Sequence, residues 1–452
     1  MPNLAVVIMA AGKGTRMKSK LPKVMHKIAG KSLIEHVLDA VSQVGTERPV
    51  VILGYGRETV EKLVSDRCQI AVQAEQLGTG HAIIQALPYL DEKDDVIILS
   101  GDQPLLKPET LLELIRLHRE HKATATVLTA MLNEPYGYGR IIKNGQELER
   151  IVEEKDAAPE ERKIKEINTG TYCFKVLELK EALSQITPKN SQGEYYLTDV
   201  FNIFLAKAAK VLIHCTLDSN EALGINSRSQ LAEAEKICYE RVRQHWMNEG
   251  VTIVDPASTF IDDDVKLAPD VCLMPFTIIK SKTEIREDAV IGPQVLIESC
   301  ICGEGCEINY TVAREAVISE GCKVGPYAYL RPGTYLEANV KIGDFVEVKK
   351  SHISAGTKIP HLSYIGDAEV GKSVNIGAGT ITCNYDGFKK SPTKICDHAF
   401  IGSNTNLVAP VEIGEGAVTG AGSTITENVP AKALAVERSK QMIKNQYVKD
   451  KK

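Results

Sequence analysis

In ICDHAFIGSNTNLVAPVEIGEGAVTGAGSTI, Ile395 to Ile425, a branched side chain, aliphatic or threonine, returns at every sixth position: Ile395, Ile401, Leu407, Ile413, Thr419 and Ile425. Four residues after each slot stands something small or branched, namely Ala399, Thr405, Val411, Ala417 and Ser423. A period of six is not helical. It is the spacing of a parallel β-helix, in which each short strand buries one aliphatic and one small side chain and stacked coils complete the core.

The same rhythm runs through Ile318, Val324, Leu330, Leu336, Ile342 and Val348. With Ile, Leu and Val at about a quarter of positions, six such hits in a row arise by chance roughly once in several thousand trials. About 180 residues of repeat would make roughly ten coils of three hexapeptides each. Glycine follows the slot at Gly325, Gly343, Gly366, Gly371, Gly377, Gly402 and Gly414, where tight corners demand it. The stretch TCNYDGFKKSPT, Thr382 to Thr393, breaks the phase and is expected to bulge outward as a loop, where chemistry on a rigid scaffold usually sits. Cys300, Cys302, Cys306 and Cys322 look clustered, but Cys302 falls six before Ile308, and Cys306 and Cys322 fall four after slots. The phase makes them core filler rather than zinc ligands.

Upstream the pattern is different. Through residue 228, apolar runs (VVIM; VVIL, Val50 to Leu53; VIIL, Val96 to Leu99; TATVLTAM) alternate with segments of helical spacing such as Leu33 to Val44 and Glu109 to His121. This is α/β punctuation, Rossmann-like with a mostly parallel sheet. Ser229 to Asn248 reads as one long helix ended by Gly250. The expected organisation is therefore an α/β domain over 1–228, a linking helix over 229–250, and a β-helix with a C-terminal tail over 251–452. The final KNQYVKDKK reads as a frayed basic tail.

The chain has 452 residues, 43% hydrophobic and 25% charged, with a formal charge of -5. This balance gives no basic footprint for nucleic acid. No apolar run approaches the roughly 18 residues of a membrane span. The N-terminus begins with a strand and a glycine loop rather than a signal peptide. Eleven scattered cysteines read as reduced thiols, and the expected location is the cytoplasm.

The loop MAAGKGTRMKSKLPK, Met9 to Lys23, follows the apolar run Leu4 to Ile8. It is not a P-loop, because no Gly-Lys-Ser/Thr closes it, and it lacks the last glycine of a dinucleotide fingerprint. Gly12 and Gly14 would let backbone N–H groups approach a triphosphate, while Arg16 and Lys23 would neutralise charge building on a leaving pyrophosphate. In the β-helix half, His361 lies two after the slot at Ile359, so it is expected to point outward. Arg331 and Lys349, about one coil apart, would stack on one face as an anion pocket beside Lys350, Tyr364 and Asn375.

The loop resembles the signature of sugar-phosphate nucleotidyltransferases. Gln73–His81 (QAEQLGTGH), Ser100-Gly101-Asp102, Gly137-Tyr138-Gly139-Arg140, Glu153, Asn168-Thr169-Gly170 and Gly193–Asp199 (GEYYLTD) follow in order. As an ensemble the chain resembles, over nearly its whole length, the bacterial bifunctional N-acetylglucosamine-1-phosphate uridyltransferase / glucosamine-1-phosphate acetyltransferases. The resemblance implies synthesis of UDP-N-acetylglucosamine for cell-wall peptidoglycan and lipopolysaccharide. Gln73 and Gly78-Thr79 would read uracil, with Ala10, Ala11, Gly12, Lys23, Ser100, Gly101 and Asp102 in the nucleotide pocket. Gly139, Glu153 and Asn168 would hold the sugar, and Asp102 and Asn226 would bind Mg²⁺, a hard cation suited to oxygen ligands. Ser100 and Gln103 depart from what is common among relatives. His361 would be the general base of acetyl transfer, because an amine must lose its proton before attacking a thioester. Arg331, Lys349, Tyr364 and Asn375 would bind glucosamine 1-phosphate, while Ala378, Asn384, Tyr385, Ser403, Ala421 and Arg438 would bind acetyl-CoA. UTP and acetyl-CoA would be co-substrates. The resemblance also implies a homotrimer through the β-helix.

Overall fold

The computed structural model describes residues 3–46 and 48–448, so residues 449–452 of the basic tail lie outside the described residues. Two compact units meet at Cys238/Tyr239. That point falls inside the helix α7 defined below, not at either end of the expected linker.

In the first unit the apolar runs become strands because they can be buried on both faces. β1 (Leu4–Ala10), β2 (Val50–Leu53), β3 (Gln69–Val72), β4 (Asp95–Ser100), β5 (Ala125–Met131), β6 (Gly139–Asn144), β7 (Glu147–Val152), β8 (Glu166–Lys175) and β9 (Val211–Cys215) form one nine-stranded sheet. Its main path runs β9-β5-β8-β4-β1-β2-β3. Every strand on it points the same way except β8, which lies antiparallel to both β4 and β5. β8 also carries β6, which pairs with β7, as an antiparallel side branch. Val6, Val7 and Ile8 of β1 are fully buried, as two-sided covering of a parallel strand requires. The helices α1 (Leu33–Ser42), α2 (Arg57–Val64), α3 (Thr79–Ala86), α4 (Pro108–Glu120), α5 (Val176–Leu183) and α6 (Asp199–Ala206) complete this unit. Two apolar clusters, built on opposite sets of strand residues such as Val7 with Ile52 and Ile8 with Val51, are its core.

The long helix α7 spans Arg228–Asn248. Val242 lies in the core of the second unit, with Trp246 and Met247 packed against it.

The second unit is a left-handed parallel β-helix of hexapeptide repeats, built from three parallel sheets of 11, 10 and 9 strands. All six slots from Ile395 to Ile425 and all five small positions between them are buried. Successive coils pair in register, as Leu330↔Val348 and Ile342↔Ile359 show. Cys300, Cys302, Cys306 and Cys322 sit in this core, and burial pushes the Cys306 thiol up to about 11 and that of Cys322 to about 12.

The slot glycines serve a purpose other than the corner bend. Of the seven, Gly325 alone has a positive φ, 109°. At Gly377, Gly402 and Gly414 the reason is proximity: a Cβ would lie 2.5 Å from a backbone atom of the next coil. The left-handed corner conformation falls instead on residues such as Asp270, Asp288, Tyr327, Asn339 and Phe345. Asn and Asp tolerate it through local polar contacts. Tyr327 and Phe345 (φ 57° each) stack their rings across adjacent coils, 5.3 Å between centroids, a contact that offsets part of the strain.

Candidate active sites

In the first unit, β1 ends at a cavity of about 510 Å³ lined by Ala10, Ala11, Gly12, Lys23, Gln73, Gly78, Thr79, Ser100 and Asp102. Nine of the residues expected to hold a nucleotide thus meet in one space. Gly14 has φ 59°, and a Cβ there would lie 2.7 Å from the Cβ of Lys23, so the loop folds tightly over the lysine stem. Gln73 is buried and donates from Nε2 to the Gly78 carbonyl at 3.1 Å. The segment 193–199 clamps this turn: Tyr195 N–H donates to the Leu77 carbonyl at 2.8 Å, Gly80 N–H to the Tyr195 carbonyl at 2.8 Å, and Leu197 N–H to Thr79 Oγ1 at 3.0 Å. Two motifs separated by more than a hundred residues therefore form one wall. Arg16 is exposed on the short helix Thr15–Met17 and does not line the cavity, nor does buried Gly101.

Gly139, Glu153 and Asn168 converge beside one another. Gly139 and Asn168 are register partners of β6 and β8, and a Cβ on Gly139 would meet Glu153 Oε2 at 3.4 Å. Thr198 Oγ1 donates to Glu153 Oε1 at 3.0 Å, yet burial dominates and raises the Glu153 carboxyl above the usual range.

Lys23 Nζ donates to Asp102 Oδ2 and, at 3.0 Å, to Asn226 Oδ1. The carboxylate and the amide oxygen thus converge on a single cation-sized point, which the ammonium fills. Ile225 N–H on the Asp102 carbonyl (3.0 Å) and Gly224 N–H on Tyr138 Oη (3.1 Å) brace the Gly224–Arg228 turn. Tyr138, quoted within its motif, was given no role in the sequence reading. It joins the sugar-side Gly137–Arg140 motif to the turn carrying Asn226. A hard divalent cation fits this oxygen pair. Gln103 is buried, donates to the Thr169 carbonyl and accepts from Thr171 Oγ1 at 3.3 Å. Its side chain is therefore occupied in tying the β4 end to β8. Among the described residues no cluster of three or more His, Cys, Asp or Glu could hold a metal, and no helix is long and apolar enough to cross a membrane.

In the second unit, the strands Lys341–Asp344, Lys358–His361, Asn375–Ile376 and Phe400–Ile401 stack in one sheet, and Tyr329–Leu330, Glu347–Lys349, Tyr364–Gly366 and Ile381–Cys383 stack in the next. His361 is exposed and ends its strand at the edge between these two faces. Ala378, Ser403 and Ala421 continue the same edge on later coils: Asn404 N–H donates to the Ala378 carbonyl at 2.6 Å and Gly422 N–H to that of Ser403 at 2.8 Å. Arg438 Nη1 returns to the Ala421 carbonyl at 3.3 Å. Arg331 and Lys349 follow the paired residues Leu330 and Val348, so the one-coil spacing does align them. Arg331 pairs with Glu347 at 2.7 Å and Lys349 with Asp367 at 3.7 Å. Asn384 is buried, bonds Asp367, and approaches Tyr364 Oη at 3.5 Å. Tyr385 stands exposed on the bulged loop. Lys390 of that loop lies against Lys349, and this contact pulls its ammonium below the usual lysine range. Two ammonium groups held this close repel, and a bound anion would relieve that repulsion.

Sequence reading missed Asp344, Glu347, Asp367 and Lys390. Asp344 and His361 are paired across adjacent coils, and Asp344 Oδ1 lies 2.5 Å from His361 Nδ1. The signal was available, because coil neighbours lie 16 to 18 residues apart except at the first coil and across the bulged loop.

Fold and sites together define a two-part transferase: a nucleotidyltransferase-type unit and a hexapeptide β-helix carrying a cluster of basic side chains. Residues 6–160 match the MobA-like NTP transferase domain, and 315–350 and 392–427 match the bacterial transferase hexapeptide. The chain is 62% identical over its full length, and that of the relative, to the bifunctional protein GlmU of Desulfitobacterium hafniense. It is 52% identical to those of Heliobacterium modesticaldum and Carboxydothermus hydrogenoformans, with 98% of this chain covered in each and 97% and 99% of the relative. The chain belongs to the bifunctional GlmU family.

Proposed function

We propose that the second unit transfers acetyl from acetyl-CoA to glucosamine 1-phosphate, and that the first transfers UMP from UTP to the resulting N-acetylglucosamine 1-phosphate, releasing pyrophosphate. The observation carrying the acetyl step is the exposed His361 at one edge of the face that carries the Arg331, Lys349 and Lys390 cations at its other edge. The cations would hold the sugar phosphate, and Tyr364 and Asn375 the sugar. His361 would take a proton as the amine nitrogen bonds to the thioester carbon, the C–S bond breaks, and the thiol departs protonated. Ala378, Asn384, Tyr385, Ser403, Ala421 and Arg438 would seat acetyl-CoA.

In the first unit Gln73, Gly78 and Thr79 would read the base, and Gly139, Glu153 and Asn168 the sugar. Asp102 and Asn226 would hold Mg²⁺, which when bound offsets phosphate charge during in-line attack. Lys23 would then turn from these two oxygens to the phosphates, with exposed Arg16 supplying a second positive charge to the leaving pyrophosphate. The proposed protein is a cytoplasmic homotrimer built through the β-helix, with domains close to 1–228 and 251–452.

The test follows free thiol and pyrophosphate separately. His361→Ala should abolish thiol release and spare pyrophosphate release from N-acetylglucosamine 1-phosphate, and Asp102→Ala should do the reverse. Loss of both activities in a folded single variant would refute two independent sites.

A further inference from the structure

We propose that Asp344 is a positioning residue for His361, fixing the imidazole with its proton on Nδ1 and leaving the Nε2 lone pair as the base. This rests on the reading of His361 as the base of acetyl transfer.

The placement is built by the coil. Asp344 and His361 are register partners at the ends of stacked strands, and Leu362 N–H donates to the Asp344 carbonyl at 2.9 Å, so the backbone on both sides of the pair is tied. Gly343 leaves that backbone close: a Cβ there would run into the Pro360 carbonyl. Across these strands, Asp344 Oδ1 reaches His361 Nδ1 at 2.5 Å. The neighbouring carboxylates are engaged elsewhere, Glu347 with Arg331 and Asp367 with Lys349, so Asp344 is the one that meets the ring. Its carboxyl is held below the usual range by the His361 bond.

The chemical consequence is in the proton transfer. An oxygen acceptor on Nδ1 selects the tautomer, and its negative charge stabilises the imidazolium formed when the amine gives up its proton. Nε2 then returns that proton to the departing sulfur. Asp344 itself keeps its charge throughout.

The experiment uses the full chain and measures thiol release from acetyl-CoA and glucosamine 1-phosphate between about pH 5.5 and 9.5, with pyrophosphate release as the control for folding. Asp344→Asn keeps the volume and an acceptor oxygen but removes the charge. The expected result is a kcat about 10-fold lower or more, KM for glucosamine 1-phosphate within about 2-fold, and an acidic limb displaced to lower pH. Asp344→Glu should keep the parent limb and lose less in kcat. The double variant Asp344→Asn/His361→Ala should be no slower than His361→Ala, as expected of groups acting as one unit. A parent-like rate and acidic limb in Asp344→Asn, with His361→Ala inactive, would overturn this inference alone. Thiol release persisting in His361→Ala would overturn the base assignment beneath it. If Asp344→Asn does not fold, Asp344→Glu decides, and an acidic limb displaced to lower pH in that variant would overturn the inference.

Discussion

Replacing Gly377 with alanine tests how closely the β-helix coils are seated. The added Cβ would lie 2.5 Å from Ser403 N and 2.7 Å from both Gly402 C and Ile401 O, all backbone atoms that cannot rotate away. Ordinary contact begins at 3.4 Å, so the two coils must separate locally. The same displacement takes the Gly377 N–H to Ile401 carbonyl bond, 2.8 Å now, past the ~3.5 Å limit of a hydrogen bond. Overpacking costs about 1–3 kcal/mol and the lost bond about 1 kcal/mol, a total of about 2–4 kcal/mol. For a unit of this size that lowers the melting temperature by roughly 5–15 °C. Gly356→Ala is the control: φ is 70°, but the nearest atom, Ser373 Oγ, is 3.5 Å away, so conformational strain of about 1 kcal/mol stands alone. The assay is thermal unfolding of the β-helix transition together with KM for acetyl-CoA, which should rise in Gly377→Ala because Ala378 and Ser403 flank the contact. A Gly377→Ala protein no less stable than Gly356→Ala, with unchanged KM, would refute the packing reasoning.

Glu153→Gln removes a carboxylate whose folded pKa is raised by burial. A raised carboxyl destabilises the fold where it is ionised, so the substitution should stabilise the first unit above the folded pKa. That gain should vanish as pH falls below the ordinary Glu value of about 4.3, while sugar binding weakens, as pH-dependent unfolding and KM would show. Native labelling with a thiol reagent should modify exposed Cys215 first and leave Cys302, Cys306 and Cys322 until the protein unfolds, because they are buried and their thiolates disfavoured. Arg331→Ala should raise KM for glucosamine 1-phosphate about 10-fold, the worth of a charge-assisted phosphate contact, with the penalty shrinking at high salt. EDTA should stop pyrophosphate release and leave thiol release intact.

The β-helix was readable because its core is periodic: a buried slot every six residues shows directly in Ile395 to Ile425. Its outer surface has no such rhythm, so Asp344, Glu347 and Asp367 left no local trace and became visible only once the coil register was fixed. The corner residues were misattributed for a related reason. Glycine signals both positive φ and close approach, and at Gly377, Gly402 and Gly414 close approach is what the fold uses. In the α/β unit the apolar runs marked the strands, but direction is not written in composition, and β8 runs against its neighbours. The nucleotide loop was readable as a motif, whereas the Tyr138 link to Gly224 spans segments with no sequence proximity.

The most direct test of two separate phosphate-gripping pockets is a crystal structure of the full chain soaked with glucosamine 1-phosphate, UTP and Mg²⁺. The sugar phosphate should lie against Arg331 and Lys349 with the amine facing His361, and the triphosphate should lie along Gly12 to Lys23. A sugar phosphate bound away from that basic pair, or a triphosphate lodged outside the loop, would contradict the account.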